Sequence, residues 1–398
     1  MLRSDLQNYT AASNLEFNNK IKELIKNGRK IHHFGFGQSP FPIPDCFVEG
    51  LKQNAHRNEY LPVQGLRELR TKILDFHKHY DHFEHFSPDH IVMGVGSKEI
   101  LFLAMNVFGG EVLLLCPSWT SYLSQSHLAG RKSLLIPTYF EDRFIPRADV
   151  IEKARKILFL FRDVCKKHNI IVISDEIYAR LQYDGHYESI ANFYPQGTIV
   201  TTGFSKWASA GGWRTGYGMF PQELLPFFEA VASGGSHTFT CSPAPMQYAL
   251  VEGLDHKDEL ESYMVHCRKI LQSAGLFTHR ELLAAGAKGH APESAYYFMP
   301  DFDPIRARLQ ERGMNSGIEM CDKMLEEADV ALMPCDPYFL RPAGELSTRF
   351  CFINFDGADG LKKSQEMGAN PDIDDAFIRR HCAPLIEGVQ ALTKWMKQ

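Results

Sequence analysis

The sequence predicts an α/β protein, with a mostly parallel sheet covered by helices on both faces and a smaller α+β domain beside it. Three observations carry this expectation. The runs Ile91–Val95, Val112–Cys116, Leu134–Ile136, Ile170–Ile173, Thr198–Val200 and Gly216–Met219 are short and continuously apolar, as strands buried on both faces are. Helical stretches separate most of them, the rhythm of a parallel sheet with crossovers. After residue 257 the pattern changes to one long helix over 257–285 and two later strands, Tyr296–Met299 and Arg349–Ile353. The expected division is a large domain over 46–289 and a small one made of 1–45 and 290–398.

Taken in order, Leu66, Leu69, Ile73, Phe76 and Tyr80 recur at gaps of three and four, which marks an amphipathic helix over 66–80. Gly94-Val95-Gly96-Ser97-Lys98-Glu99 ends the first apolar run and opens a helix over 97–108. It lacks the third glycine of a dinucleotide-binding fingerprint. Val150, Ala154, Ile157, Phe161 and Val164 form a helical face, so a helix is expected over 149–168 with no strand before 170. A strand at Ile157–Phe161 would leave only 162–169 for the return to a parallel neighbour, and such a crossover needs about a dozen residues. Lys362–Asp375 is polar and reads as an exposed loop.

Composition bounds the function. The 398 residues carry a net charge of −5, the wrong sign for a protein built on nucleic-acid backbone. Nine cysteines, an odd number with no C-x-x-C, point to free thiols in a reducing compartment. No signal core and no run near the roughly 20 apolar residues of a membrane helix occur. A cytoplasmic enzyme without a membrane or nucleic-acid partner is expected. His77, His79, His82, His85 and His90 crowd one region, which reads as a solvated helix end and loop rather than as a metal site.

The chemistry is concentrated at strand ends. Ser174-Asp175-Glu176-Ile177-Tyr178 sets an acid at the end of one apolar run. Gly203-Phe204-Ser205-Lys206 sets a lysine just past the next, and Gly212-Trp213-Arg214-Thr215-Gly216-Tyr217 sets an arginine before the last. Ligands of such sheets sit beyond the strand ends. An acid, a lysine and an arginine meeting there suit pyridoxal 5'-phosphate. The lysine amine takes the aldehyde, the carboxylate keeps the pyridine nitrogen protonated, and the guanidinium binds phosphate. Any one of the three alone would read as a surface charge.

These motifs resemble the class I/II aminotransferases, whose fold is the fold-type I pyridoxal-phosphate transferase, over about residues 30–356. The resemblance implies Lys206 as the Schiff-base lysine, Asp175 beside the pyridine nitrogen, Tyr178 on the cofactor's phenolic oxygen and Arg214 on its phosphate. It places Ser97 and Lys98 at the phosphate too, where helix-start N–H groups favour an anion. Trp119, in Pro117-Ser118-Trp119, matches the aromatic that stacks on the pyridine ring; burial for packing is the alternative. Tyr60 matches the tyrosine that reaches the phosphate of a neighbouring subunit, which implies a homodimer. Gly37, in Gly35-Phe36-Gly37-Gln38, would offer its N–H to the substrate carboxylate, or the segment is a plain loop. Arg349 matches the arginine that grips that carboxylate; an edge-strand surface arginine is the alternative.

The sequence departs from the family at one larger point and two smaller ones. No asparagine occurs between Asn106 and Asn169, so the family's N-P-x-N-P-T-G segment is absent. About twenty residues of strand, loop and helix are missing at typical element lengths. Gly203 stands where many relatives have a phosphate-binding serine, and Pro334-Cys335-Asp336-Pro337-Tyr338-Phe339 departs from P-G-x-x-F-G. The expected activity is amino-group transfer between an α-amino acid and a 2-oxo acid, impaired by the shortened segment. The alternatives are a C–S lyase or synthase of the same fold, and a catalytically weak or inactive paralogue or isoform that serves as a dimer partner.

Overall fold

Among the residues that the computed structural model describes, 13–145 and 162–398, four of the expected apolar runs form one sheet. Its order is Ile91–Val95, Thr215–Met219, Thr198–Gly203, Val172–Asp175. Thr215–Met219 is antiparallel to both its neighbours, and the other three strands point the same way. The reversal follows from chain length, because residues 204–214 are too few for a parallel crossover. Val95 pairs with Thr215, Gly203 with Gly216 and Asp175 with Thr201. The carboxyl ends of three strands therefore share one edge with the start of the fourth.

The sheet lies in a unit made of Pro42–Gly110 and Arg147–Val265. Alternation along Thr215–Met219 divides its two faces. A Cβ on Gly218 would stand 2.8 Å from Ile100, so this position lets helix Ser97–Val107 approach closely. Val92, Ile100, Leu103, Ile199, Phe220, Phe228 and Val231 fill the core on that side. Tyr217 points the other way, to His77 on helix Arg67–Asp81. That helix buries Leu69, Arg70, Ile73, Leu74, His77 and Asp81, while Phe76 and Tyr80 are only half-buried. The buried face is thus shifted from the expected one. The expectation of a solvated histidine cluster is corrected at His77, which is 4% exposed because it carries the hydrogen bond to the sheet. His79 and His82 are exposed.

The second unit holds Met1–Phe41, Glu111–Pro146 and His266–Gln398. Its three-stranded antiparallel sheet runs Met333–Pro334, Thr348–Cys351, Tyr297–Phe298. His32–His33 pairs in parallel with Val330–Ala331. Helix Gly317–Ala328 starts at a capping box of Ser316 and Glu319. Helix Lys257–Ala284 carries the chain from one unit into the other. Val112–Cys116 and Ser133–Pro137 pair only with each other among the described residues. Leu113, Leu115, Leu134, Leu135 and Ile136 on them are 36–48% exposed, which is unusual because parallel sheets are normally covered.

This grouping places 111–146 with the terminal segments, whereas the sequence reading keeps it inside 46–289. The expected helix over 149–168 is helical at 162–167 and turns at Asn169, whose φ is 52°; its part over 149–161 lies outside the described residues. The expected loop over Lys362–Asp375 is corrected at both ends. Helix Gly357–Gln365, capped by Asp356, runs into it, and Asp375 opens helix Asp375–His381, capped by Asp374. Both caps are aspartates that accept helix-start N–H groups, so the polar residues mark helix ends rather than one long loop. No helix among the described residues is long and apolar enough to cross a membrane. No group of three or more His, Cys, Asp or Glu there is placed to hold a metal ion.

Candidate active site

The strand edge collects the expected anchors of the sheet-bearing unit. Gly96 ends Ile91–Val95 with φ +85° and frees the first N–H groups of helix Ser97–Val107. A Cβ on Gly96 would stand 2.3 Å from Arg214 Nη2, and one on Gly216 would stand 2.1 Å from the Ser97 nitrogen. Glycine at both positions leaves a cradle of N–H groups with a guanidinium at its rim. Arg214, at φ 55°, donates from Nη2 to Val95 O (3.0 Å) and from Nη1 to Gly211 O (2.9 Å). Burial, and then the Arg214 guanidinium, hold the Lys98 ammonium below its usual range. Two cations brought together at a helix start fit a phosphate, whose charge would offset both. Gly203 belongs to the same cradle, because a Cβ there would meet Gly216 Cα and Thr215 O at 2.8 Å. The family's serine therefore has no room at this position.

Asp175 is the last residue of its strand. Glu176 N donates to Thr201 O (2.8 Å), and Thr202 Oγ1 donates to Glu176 O (3.2 Å), which ties the segment to the neighbouring strand. The loop after Gly203 closes through Ala210 N to Phe204 O (3.1 Å) and Ser209 N to Lys206 O (3.3 Å). It presents Lys206 Nζ 5.6 Å from the centre of the Tyr178 ring. The structure thus brings Asp175, Tyr178, Lys206, Arg214, Ser97 and Lys98 to one edge, with a carboxylate, an amine and a cradle of N–H groups beside a guanidinium. These residues fit pyridoxal phosphate. Tyr60 is 87% exposed.

The other unit carries the remaining three residues. Trp119 precedes helix Thr120–Leu128 and is half-buried, its ring 5.3 Å from that of Tyr122. Arg349 lies on the middle strand of its sheet, not on an edge. Its guanidinium is half-buried and donates from Nη2 to Gly35 O (2.5 Å). Gly37 lies against Tyr297, whose Oη would be 1.4 Å from an added Cβ.

A buried polar network around Asp81 escaped the sequence reading. Asp81 sits between His77 Nδ1 (2.6 Å) and the Arg180 guanidinium, and His77 Nε2 is 2.8 Å from Tyr217 Oη. An ionised carboxylate only accepts, so Nδ1 donates to Asp81 and a neutral ring then accepts from the Tyr217 hydroxyl. Arg180 belongs to the turn that follows Tyr178. The available signal was His77 itself, four residues after Ile73 and four before Asp81, on the buried face of the helix.

Glu176 is buried beside this network and accepts from Ser174 Oγ (2.9 Å) and Ser189 Oγ (2.5 Å). Burial pushes its carboxyl up from 4.5 to about 7, with Asp81 adding to the rise and the serines and Arg180 opposing it. The folded protein therefore holds a proton that the unfolded chain has lost between about pH 4.5 and 7. Stability falls as pH rises through that window, by on the order of 3 kcal/mol. Glu176→Gln is expected to flatten this part of the stability curve, measured by denaturant unfolding at several pH values. An unchanged slope would remove Glu176 as its source.

The aminotransferase class I and II family model matches residues 29–160 and 156–356 of this chain. An aspartate aminotransferase of Thermotoga maritima is 30% identical over 358 residues, covering 82% of this chain and 89% of that protein. An asparagine–oxo-acid transaminase of Streptococcus mutans is 28% identical over 355 residues, covering 79% and 86%. The solved structure of the aspartate aminotransferase from Thermus thermophilus with maleate superposes with a TM-score of 0.81 at 22% identity, covering 98% of this chain and 99% of that one. That last likeness bears on the fold.

Proposed function

Because the chain belongs to the class I and II aminotransferases, we propose that it moves an amino group between an α-amino acid and a 2-oxo acid through the residues of this strand edge. It is a pyridoxal-phosphate-dependent enzyme. The observation that carries the assignment of residues is the shared edge, where Asp175, Lys206 and the Gly96–Arg214 cradle meet. When bound, the cofactor supplies an electron sink joined to the substrate's amino group. Arg214, Ser97 and Lys98 hold its phosphate, Asp175 keeps its ring nitrogen protonated, and Tyr178 donates to its phenolic oxygen. Trp119 covers its ring. The Lys206 amine would take the proton from the α-carbon of the amino donor and, in the return half-reaction, deliver one to the α-carbon of the 2-oxo acid acceptor. Gly37 and Arg349 take the substrate's carboxylate.

Tyr60, exposed in one chain, reaches the cofactor phosphate of a second copy, so the working unit is a homodimer. Every cysteine is a free thiol, which supports a reducing, cytoplasmic location. The test is the product. With an amino acid and a 2-oxo acid supplied together, a new 2-oxo acid and a new amino acid are expected in equal amounts. Ammonia in place of the second amino acid would support an eliminating lyase.

The chain also lacks the family's asparagine segment, which sets the expected turnover low. Three observations support this: no asparagine between Asn106 and Asn169, a family match in two pieces meeting at 156–160, and the uncovered leucines on Val112–Cys116 and Ser133–Pro137. Inserting the segment is expected to raise kcat. No rise would show that the shortened chain is compensated.

A further inference from the structure

We propose that Tyr297 and Phe339 are positioning residues whose two aromatic rings hold the Arg349 guanidinium in place and keep its charge available for a substrate carboxylate. The inference rests on the reading of Arg349 as the carboxylate receptor and adds what makes it one. Arg349 Cζ lies 4.8 Å from the centre of the Tyr297 ring and 5.0 Å from that of Phe339. Arg349 is half-buried, and a buried charge ordinarily needs a partner. Among the described residues no carboxylate pairs with Arg349, and its buried Nε has no hydrogen-bond partner. The single strong bond, Nη2 to Gly35 O at 2.5 Å, fixes one corner of the fork. The two ring faces supply the remaining attraction through their quadrupoles, without consuming the charge. Donors stay unspent for a bidentate partner.

Both rings are themselves held by segments that carry other expected site residues. Tyr297 Oη fills the place of a side chain on Gly37, so the ring also sets where the Gly35–Gly37 backbone lies. Register with the Arg349 strand is fixed, since Cys351 pairs with Tyr297 and Phe350 with Phe298. Phe339 is buried, and its carbonyl accepts from Ser118 N (3.1 Å), the residue before Trp119. Its own N–H donates to Cys335 O (2.8 Å), which anchors the segment that departs from the family pattern.

The test uses the enzyme loaded with pyridoxal phosphate and four variants: Tyr297→Leu, Phe339→Leu, Tyr297→Phe and, as reference, Arg349→Lys. The probes are propionate, a carboxylate that cannot react, measured by calorimetry, and L-alanine and propylamine as amino donors. Tyr297→Leu and Phe339→Leu are each expected to weaken propionate by about 3- to 30-fold. They should raise the KM for L-alanine by a similar factor, with kcat, the KM for propylamine and the cofactor absorbance little changed. Tyr297→Phe keeps the ring and should bind propionate within about twofold of the parent. Unchanged propionate binding in both leucine variants, or equal losses for propylamine, would overturn the clamp. If Arg349→Lys itself leaves propionate unaffected, the carboxylate reading of Arg349 fails instead. Should one leucine variant not fold, the other decides, because each removes one ring beside the same guanidinium.

Discussion

Lys206→Ala is expected to lower kcat by at least roughly 10²–10⁴-fold, the part of the barrier that a positioned acid–base group removes. The reason is local geometry. Lys206 projects from the loop that closes between Phe204 and Ala210, next to the Tyr178 ring and past the strand that pairs with Asp175. The described residues of this edge offer Lys98 as another amine, and that one sits in the first turn of helix Ser97–Val107 near Arg214. Lys206→Arg should fail as well, because a guanidinium keeps its proton at any working pH. Two measurements check this: single-turnover rates of the variants, and peptide mapping after borohydride reduction of the parent with pyridoxal phosphate. Label on a lysine other than Lys206, or Lys206→Ala turnover within tenfold of the parent, would defeat the assignment.

The largest expected loss of stability comes from Asp81→Ala, at about 3–5 kcal/mol. Asp81 and Arg180 are 2% and 6% exposed, so removing the carboxylate leaves an uncompensated buried guanidinium. The same substitution takes away the acceptor of His77, and with it the order of the Tyr217 hydrogen bond. Asn192 Nδ2 donates to the Asp81 carbonyl (2.9 Å), a bond the side-chain change leaves in place. Pairing Asp81→Ala with Arg180→Met should recover much of the loss, since two apolar partners cost less than one stranded charge. Denaturant midpoints of the two single variants and the double variant are the readout. A loss under about 1 kcal/mol in Asp81→Ala would show that Arg180 is not stranded by the substitution. Because Arg180 lies in the turn directly after Tyr178, the variant is also expected to weaken cofactor binding.

The sequence by itself determined where the strands lie and what chemistry stands at their ends. Ile91–Val95, Val112–Cys116 and Gly216–Met219 emerge within a residue of their expected limits. The reason is physical: an apolar run and the residue that ends it are local features, and Asp175, Lys206 and Arg214 each lie within three residues of a strand end. Tertiary structure decided the pairings that span the chain. Asp81 meets Arg180 across 99 positions, His77 meets Tyr217 across 140, and Arg349 meets Gly35 across 314. Periodicity could place His77 on a helix face, but not say that Tyr217 would be the alternate residue aimed at it. It showed Phe339 and Tyr297 only as aromatic residues in separate segments. That both rings lie beside one guanidinium follows from strand register and from the turn that carries Phe339, and such contacts have no repeat or spacing in the sequence that could announce them.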